Sequence, residues 1–245
     1  MKIFSLPPQE NWICDRFLKE WYQHNPDITT KDLNQADINW ILAGWQWYNI
    51  PVKLLEEKIT VVTVHHIDPD KFNKQEELNF RQRDRFVDWY HVPCDISREQ
   101  VIKYTNKPVF VQPFWANQFL WHEIKNKDHL RRKLDLPKNA YIVGSFQRDT
   151  EGYDLKSPKL AKGPDRLVEI ISKINKENEN LFVVLAGPRR QYVINCLEMF
   201  NISYKYFEFV DFAILNELYN SIDLYIVSSR YEGGPQSIVA VSYTH

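Results

Sequence analysis

The sequence is poor in the features that mark several specialised classes of protein. Its three cysteines, Cys14, Cys94 and Cys196, are far apart and odd in number, so they form neither a disulfide framework nor a metal-ligand spacing. No stretch reaches the ~18 apolar residues of a membrane span, and the first residues contain too short an apolar run for a signal peptide. The formal net charge of −1 gives no general attraction to nucleic acid. These absences predict a cytoplasmic protein with reduced, buried thiols and no nucleic-acid partner.

Glycine and tryptophan are each scarce in a different half of the chain. Six of the seven glycines lie at or after Gly144, with Gly44 the exception, and all eight tryptophans lie between Trp12 and Trp121. Aromatic surface is therefore concentrated in one half and backbone freedom in the other. This asymmetry indicates two units with different roles.

Short apolar runs alternate with amphipathic segments along the whole chain. Strands are predicted at KIFSL, DINWIL, ITVVTV, VDWYHV and PVFVQP, and then at AYIVGSF, LFVVLAG, YKYFEFV and DLYIVSS. Helices are predicted at about 11–24, 43–57 and 96–105, and then at DRLVEIISKINKE, RQYVINCLEMF and AILNELYNS. An apolar stripe of Ile170, Ile171 and Ile174 supports the first of the later helices.

This alternation predicts an α/β architecture with parallel sheets. The charged segment at 117–138 is predicted to be helical and stops at Pro137 before a new strand. We therefore predict two Rossmann-like domains, a small first domain at 1–117 and a second at 118–245.

Two loops of the second domain carry the residues that are best suited to bind an anion. One loop follows AYIVGSF, which contains Gly144, and includes Arg148; it ends at Lys162 and Gly163-Pro164, which read as the N-cap and first residue of a helix. A helix N-terminus attracts phosphate, and ligands bind beyond the carboxyl ends of the strands in such sheets. Each feature alone also fits a plain helix start or a surface charge, so the prediction depends on their order and placement.

The second loop is SRYEGGPQ, after the strand DLYIVSS. Gly233 and Gly234 leave backbone N–H groups unobstructed, and Pro235 is well placed as the first residue of a further helix. Glu232 is an unusual phosphate ligand and is better suited to accept hydrogen bonds from sugar hydroxyls. The two loops together therefore predict a site for a phosphorylated sugar compound.

The second domain resembles the donor-binding half of retaining GT-B glycosyltransferases of family 4. The matching segments, over about 140–239, are GSFQRDTEG and PKLAKGPD, VVLAGPRR, and ELYNSIDLYIVSSRYEGGPQSI. The last is similar to the start of the family's Glu-x7-Glu motif, with the form S-x-x-E-G-x-P. The first domain matches loosely, through VVTVHH. The resemblance implies a GT-B-like fold with two Rossmann-like domains facing a cleft.

The resemblance also implies a reaction and a set of residues. The donor is a nucleotide diphosphate sugar, no metal or other cofactor is needed, and the acceptor is a carbohydrate or a lipid-linked sugar, which allows peripheral contact with a membrane. The residues implied in catalysis are His65, Arg148, Lys162 and Glu232. Those implied in donor binding are Gly144, Phe209 and Val210 at the nucleobase side, and Gly233, Gly234 and Pro235.

The sequence departs from the family pattern at its end. The second glutamate of the motif falls on Ala240, and AVSYTH does not read as a helix finish. We therefore expect the second domain to be truncated or altered after about Val239. A non-catalytic nucleotide- or carbohydrate-binding fragment remains an alternative function.

Several other residues allow more than one interpretation. Asp68-Pro69-Asp70 fits a metal-binding Asp-x-Asp pair of a GT-A transferase, or a capped turn. His66 stands where the family often has aspartate, and Arg189-Arg190 fits a solvated loop or a phosphate contact. Trp40, Trp45 and Trp47 fit either a surface for stacking on sugars or an aromatic core. A dinucleotide enzyme is disfavoured, since no G-x-G-x-x-G follows a predicted strand.

Overall fold

The computed structural model describes residues 1–10 and 13–245. Asn11 and Trp12, at the start of the first predicted helix, lie outside the described residues. The chain divides into two compact units, Met1–Phe114 and Trp115–His245. In the part of the chain that is described, no helix is long and apolar enough to cross a membrane.

The first unit contains a five-stranded parallel sheet whose strands follow one another in chain order. Its strands are β1 (Ile3–Ser5), β2 (Ile38–Ile41), β3 (Ile59–Thr63), β4 (Trp89–Val92) and β5 (Val109–Val111). Its helices are α1 (Ile13–His24), α2 (Val52–Glu57), α3 (Lys74–Asp84) and α4 (Asp95–Val101). All five strands lie inside runs that the sequence predicts as strands. The helix expected over 43–57 is instead a 3-10 turn, Gly44–Asn49, followed by α2.

Helix α3 was not predicted from the sequence. Phe80 is its one buried residue, so the segment has no apolar stripe that would indicate a helix. The helix is stabilised locally, because the Asn73 side chain accepts hydrogen bonds from the backbone N–H groups of Gln75 and Glu76. Glu76 and Glu77 lie in its first turn, where the helix dipole favours negative charge.

The second unit contains a four-stranded parallel sheet in the order β8-β7-β6-β9. Its strands are β6 (Tyr141–Ser145), β7 (Leu181–Ala186), β8 (Tyr204–Phe207) and β9 (Leu224–Tyr225). The chain proceeds outward from β6 to β7 and β8, and then returns to pair β9 with the other side of β6. The strand order therefore reverses between β6 and β9, which is the position where open α/β sheets bind ligands.

The helices of the second unit are α5 (Lys127–Lys133), α6 (Pro164–Glu177), α7 (Gln191–Met199), α8 (Phe212–Ser221) and α9 (Gln236–Thr244). Two expectations are wrong here. Only the α5 part of the segment 117–138, which was predicted to be helical, forms a helix, and the terminal AVSYTH segment continues a helix to Thr244. The buried residues of α6 include Leu167 and Ile171, with Ile174 packed beside them, whereas Ile170 is 38% exposed and lies outside the stripe.

Candidate active site

The loops that follow β6 and β9 meet at the carboxyl edge of the second sheet. The backbone N–H groups of Arg230 and Tyr231 both donate to the Ala161 carbonyl, at 2.8 and 3.4 Å. The Ser228 hydroxyl donates to the Lys162 carbonyl at 3.0 Å. These bonds join the segment before α6 to the segment after β9, so residues about 70 positions apart form one rigid edge.

Gly163 is required for this close approach. It is the N-cap of α6, as predicted, with Pro164 as the first helical residue. Its φ of +60° lies in the left-handed region, and a Cβ atom at this position would lie 2.0 Å from the Ser228 carbonyl oxygen. Only a residue without a side chain fits between the two loops.

The N-terminus of α6 is partly occupied by protein groups, contrary to the expectation that it is free for a phosphate. Two nitrogens of the Arg230 guanidinium contact the Asp165 carboxylate, at 2.7 and 2.6 Å. This pairing, together with hydrogen bonds from the backbone N–H groups of Asp165 and Arg166, holds the pKa of Asp165 below its usual value. Since Pro164 has no N–H group, the first turn offers few donors to an anion.

Lys162 and Glu232, both predicted site residues, form an ion pair at the centre of this edge. The Lys162 ammonium lies 2.6 Å from Oε1 of Glu232, and each side chain is about one fifth exposed, at 21% and 20%. The Ser229 hydroxyl lies 2.7 Å from the same carboxylate oxygen. Lys162 is therefore bound to the residue predicted to hold the sugar, while it remains accessible for a further contact.

Arg148, the other predicted basic residue, is exposed. Within the described part of the chain it has no ion-pair or hydrogen-bond partner, so its guanidinium is available to a ligand. The residue that follows it, Asp149, is only 2% exposed and pairs with the fully buried Arg190, with 3.4 Å between Arg190 Nε and Oδ2. The loop that carries Arg148 is thus attached to the core beneath it.

Of the two interpretations of Arg189-Arg190, the solvated loop is wrong for Arg190. Arg190 has no exposed surface, and its Nη2 donates to the Ser145 hydroxyl at 3.3 Å. Arg189 donates to the Gly152 carbonyl at 2.8 Å, and its own carbonyl accepts the Asp149 N–H at 2.9 Å. Burial raises the pKa of Asp149 to about 6, although Arg190 counteracts part of this rise.

The glycines predicted to bind the donor occupy different environments. Gly234 has a φ of +84° and is exposed, whereas Gly233 is half-buried and has no positive φ. Pro235 is the N-cap of α9, whereas it was predicted to be the first residue of the helix. Gly144 lies inside β6, where a Cβ atom would lie 2.7 Å from Cδ1 of Ile222. Packing against Ile222 therefore explains why a glycine is needed at position 144, and the role of Gly144 in donor binding stays a prediction.

The predicted nucleobase residues lie beyond β8 at the same edge of the sheet. Phe209 is 80% exposed, so its ring is available for stacking, while Val210 is half-buried against the core. At the motif position where the family has its second glutamate, Ala240 is 1% exposed and packs with Trp121 and Tyr219. A carboxylate at this position would be buried among aromatic rings.

His65 lies at the carboxyl end of β3 in the first unit, and its ring is held by protein contacts. Its Nε2 lies 3.0 Å from the Leu42 carbonyl oxygen and 3.6 Å from Sγ of Cys14, and its ring stacks on Phe114 at a centroid distance of 5.4 Å. Burial lowers the pKa of His65 to about 4, so the ring is neutral at pH 7. These contacts give it a structural role, and its role in catalysis stays a prediction.

The remaining candidates in the first unit are engaged in local structure. Asp68 Oδ1 accepts the Asp70 N–H at 3.1 Å, as in a capped turn. Of the three tryptophans, Trp40 donates to the Thr63 hydroxyl, Trp47 packs on the core, and Trp45 is 45% exposed and donates to Glu10. Cys14 is buried, whereas Cys94 and Cys196 are only half-buried, contrary to expectation.

Three functional candidates at this edge were missed by sequence reasoning. They are Ser229, Gln147 and Asp149, the buried partner of Arg190, and each acts through a contact between distant loops. Ser229 alone had a signal in the sequence, since it is the serine of S-x-x-E-G-x-P.

Known proteins match this chain in fold and, over one segment, in sequence. Residues 155–240 match the model of the family described as glycosyl transferases group 1. This segment begins in the loop after β6 and includes Lys162 and Glu232. No curated protein matches the chain.

Solved structures match the chain over nearly its whole length. HepE of Anabaena, in complex with UDP and glucose, has a TM-score of 0.74 and 14% identity, over 99% of this chain and 78% of its own. Sucrose-phosphate synthase of Thermosynechococcus elongatus has a TM-score of 0.68 and 14% identity, over 92% and 57%. Trehalose-6-phosphate synthase OtsA has a TM-score of 0.64 and 11% identity, over 93% and 64%. The chain has an α/β fold with parallel sheets that matches GT-B glycosyltransferases, as predicted.

Proposed function

We propose that this chain is a glycosyltransferase that transfers a sugar, a hexose, from a nucleotide diphosphate sugar to an acceptor hydroxyl with retention of configuration. The observation that carries the proposal is the Lys162–Glu232 pair at the point where the strand order reverses, with the unpaired Arg148 on the same edge. The match of 155–240 to glycosyl transferases group 1 supports it. The UDP and glucose held by HepE support the class of donor.

In this reaction the bond between the anomeric carbon and the donor diphosphate breaks as the bond to the acceptor oxygen forms. The acceptor proton passes to the departing phosphate, and negative charge develops on the phosphate oxygens. Arg148 and Lys162 stabilise that charge, and Glu232 binds the hydroxyls of the sugar. Loss of one such preorganised donor commonly costs a factor of ~10²–10³ in rate. The scheme needs no metal ion.

The acceptor in this proposal is a carbohydrate or a lipid-linked sugar, used in the cytoplasm or at a membrane surface. His65 would act on the acceptor side, and Phe209 and Val210 would contact the nucleobase. Gly233, Gly234 and Pro235 would present backbone groups to the donor. Gly144 would act through its effect on the path of β6, since Ile222 fills the space above it.

Calorimetric titration with UDP, GDP, ADP and CMP, with and without magnesium, tests the proposal. We expect one nucleoside diphosphate to bind without metal, and we expect Arg148→Ala to lower its affinity about tenfold or more. Arg132→Ala, another exposed arginine of the same unit, is the matched control and should leave binding unchanged. Failure of the folded chain to bind any nucleotide would contradict the proposal. Binding that disappears with a chelator would favour the alternative metal site at Asp68 and Asp70.

A non-catalytic binding fragment is the second candidate function. The buried alanine at position 240 favours it, because the side chain cannot reach the ribose hydroxyls that the motif's second glutamate would bind. Donor hydrolysis separates the two candidates. A chain that binds the nucleotide sugar but neither transfers the sugar nor releases nucleoside diphosphate over hours would be the binding fragment.

A further inference from the structure

The Ser229 hydroxyl lies between two acceptors from different parts of the chain. Its oxygen is 2.7 Å from Oε1 of Glu232 and 3.1 Å from Oε1 of Gln147. A hydroxyl has one hydrogen, so it donates to one of them at a time. The carboxylate is both nearer and charged, which makes it the stronger acceptor, so the hydroxyl donates to Glu232.

One oxygen of the Glu232 carboxylate therefore receives two donors. Lys162 Nζ lies 2.6 Å from Oε1 and the Ser229 hydroxyl lies 2.7 Å from it. None of the described residues donates to Oε2. Two bonds to one oxygen fix the plane of the carboxylate, and the other oxygen is left for a ligand.

Ser229 can hold this position because its neighbours are fixed. The Ser228 hydroxyl donates to the Lys162 carbonyl at 3.0 Å, and the Arg230 N–H donates to the Ala161 carbonyl at 2.8 Å. The backbone on both sides of Ser229 is thus joined to the segment that carries Lys162. The hydroxyl, the ammonium and the carboxylate keep their mutual geometry as one unit.

We propose that Ser229 is a positioning residue that orients the Glu232 carboxylate toward the sugar of the donor, with Gln147 as the second acceptor of its hydroxyl. This inference rests on the proposed function. The sugar hydroxyl donates to Oε2 of Glu232, while the Ser229 hydroxyl and the Lys162 ammonium keep their bonds to Oε1.

This arrangement predicts that Ser229 affects the sugar part of the donor and leaves the nucleotide part unchanged. The diphosphate is held by Arg148 and Lys162, neither of which bonds to the Ser229 side chain. The difference in affinity between a nucleotide sugar and its free nucleoside diphosphate is therefore the quantity that reports on Ser229. A general loss of folding would lower both affinities together.

The test compares Ser229→Ala with the wild type in calorimetric binding of the best nucleoside diphosphate and its glucose conjugate, such as UDP and UDP-glucose. We expect the affinity for the nucleoside diphosphate to stay within twofold and the affinity for the conjugate to fall about tenfold. Ser229→Thr keeps the hydroxyl and should restore most of the loss. Ser242→Ala, at an exposed serine of α9, is the matched control.

The outcomes separate this inference from the proposed function. Equal losses for both ligands, or no loss for either, would overturn the role of Ser229. So would a Ser229→Thr variant that behaves like Ser229→Ala while circular dichroism shows it to be folded. A wild-type chain that binds no nucleotide would instead overturn the proposed function, and this inference with it.

Discussion

A Cβ atom on Gly163 would lie 2.0 Å from the carbonyl oxygen of Ser228, far inside contact distance. This single approach brings the segment that carries Lys162 against the segment that leads to Glu232. The Lys162–Glu232 ion pair therefore depends on Gly163, which is not itself a member of the pair. The backbone between the two loops, as much as the charged side chains, determines the geometry of the site.

We predict that Gly163→Ala separates these loops. The substitution adds the strain of a left-handed alanine, about 1–2 kcal/mol, and also forces the Ser228 carbonyl away. Nucleotide affinity should fall at least tenfold, measured by calorimetry, and the free energy of unfolding should fall in urea titration.

Gly152→Ala is the matched control for this prediction. Gly152 also has a positive φ, +75°, but its nearest contact for a Cβ atom is 3.5 Å away, on Asp154. It should therefore show the strain without the displacement of the loops. Equal effects of the two substitutions on nucleotide affinity would contradict the role given to Gly163.

Lys162→Met should weaken the binding of the nucleoside diphosphate and also release the Glu232 carboxylate from its ion pair. The methionine keeps the length of the side chain but removes the charge, so Glu232 loses its 2.6 Å partner. We expect a loss of about tenfold or more in affinity for the diphosphate, measured by calorimetry. Lys159→Met is the control, because Lys159 lies just before the short 3-10 turn Leu160–Lys162 that contains Lys162. Unchanged affinity in Lys162→Met would mean that the lysine serves only to hold Glu232.

Much of the fold could be predicted from the sequence because its strands and most of its helices have strong apolar periodicity. Helix α6 also had its Gly-Pro start, which the structure confirms. Helix α3 has a single buried residue, so periodicity could not indicate it. The helix predicted over 117–138 was wrong for the residues before α5, because their charged side chains suit an exposed helix and a loop equally well.

The site was predictable only in part. Glycines, basic residues and Glu232 could be recognised from their positions after strands. The burial of Arg190 could not, because two adjacent arginines after a strand have the composition of a solvated loop. Its partner Asp149 lies 41 positions earlier in the chain, and only the packing of β6 beside β7 brings the two together.

The buried pair of Asp149 and Arg190 leads to a prediction on stability. Arg190→Met leaves the Asp149 carboxylate buried without its counter-charge, and breaking such a pair commonly costs about 3–5 kcal/mol. Urea titration should show this loss at pH 8. At pH 5 the loss should be smaller, because Asp149, with a pKa of about 6, is already largely protonated there.

Two further variants make the test of this pair specific. Asp149→Asn combined with Arg190→Met removes both charges and should be more stable than Arg190→Met alone. Arg189→Met removes the neighbouring arginine, which contacts only a backbone carbonyl by its side chain in the described residues, and should cost less. A loss in Arg190→Met that is the same at both pH values would contradict the electrostatic explanation.

The histidines of the first unit predict a loss of stability in mild acid. Burial lowers the pKa of His65 from 6.5 to about 4, and burial also lowers the pKa of His91. For His65, the unfolded chain therefore binds a proton below about pH 6.5, whereas the folded chain binds it only near pH 4. The free energy of unfolding consequently falls as the pH falls through this window. For His65 the loss at pH 5 is about 2 kcal/mol. Asp149 acts in the opposite direction, because its raised pKa makes the folded chain bind a proton first below about pH 6.

Replacement of His65 isolates its share of this acid response. His65→Gln cannot take up the proton, so its free energy of unfolding should change less between pH 8 and pH 5 than that of the wild type, by about 2 kcal/mol. Asp149 is present in both proteins, so its contribution cancels in the comparison. His24→Gln, at the exposed end of α1, is the matched control and should keep the wild-type response. If His65→Gln loses as much stability as the wild type between the two pH values, the acid response originates elsewhere, and the neutral state assigned to His65 would be wrong.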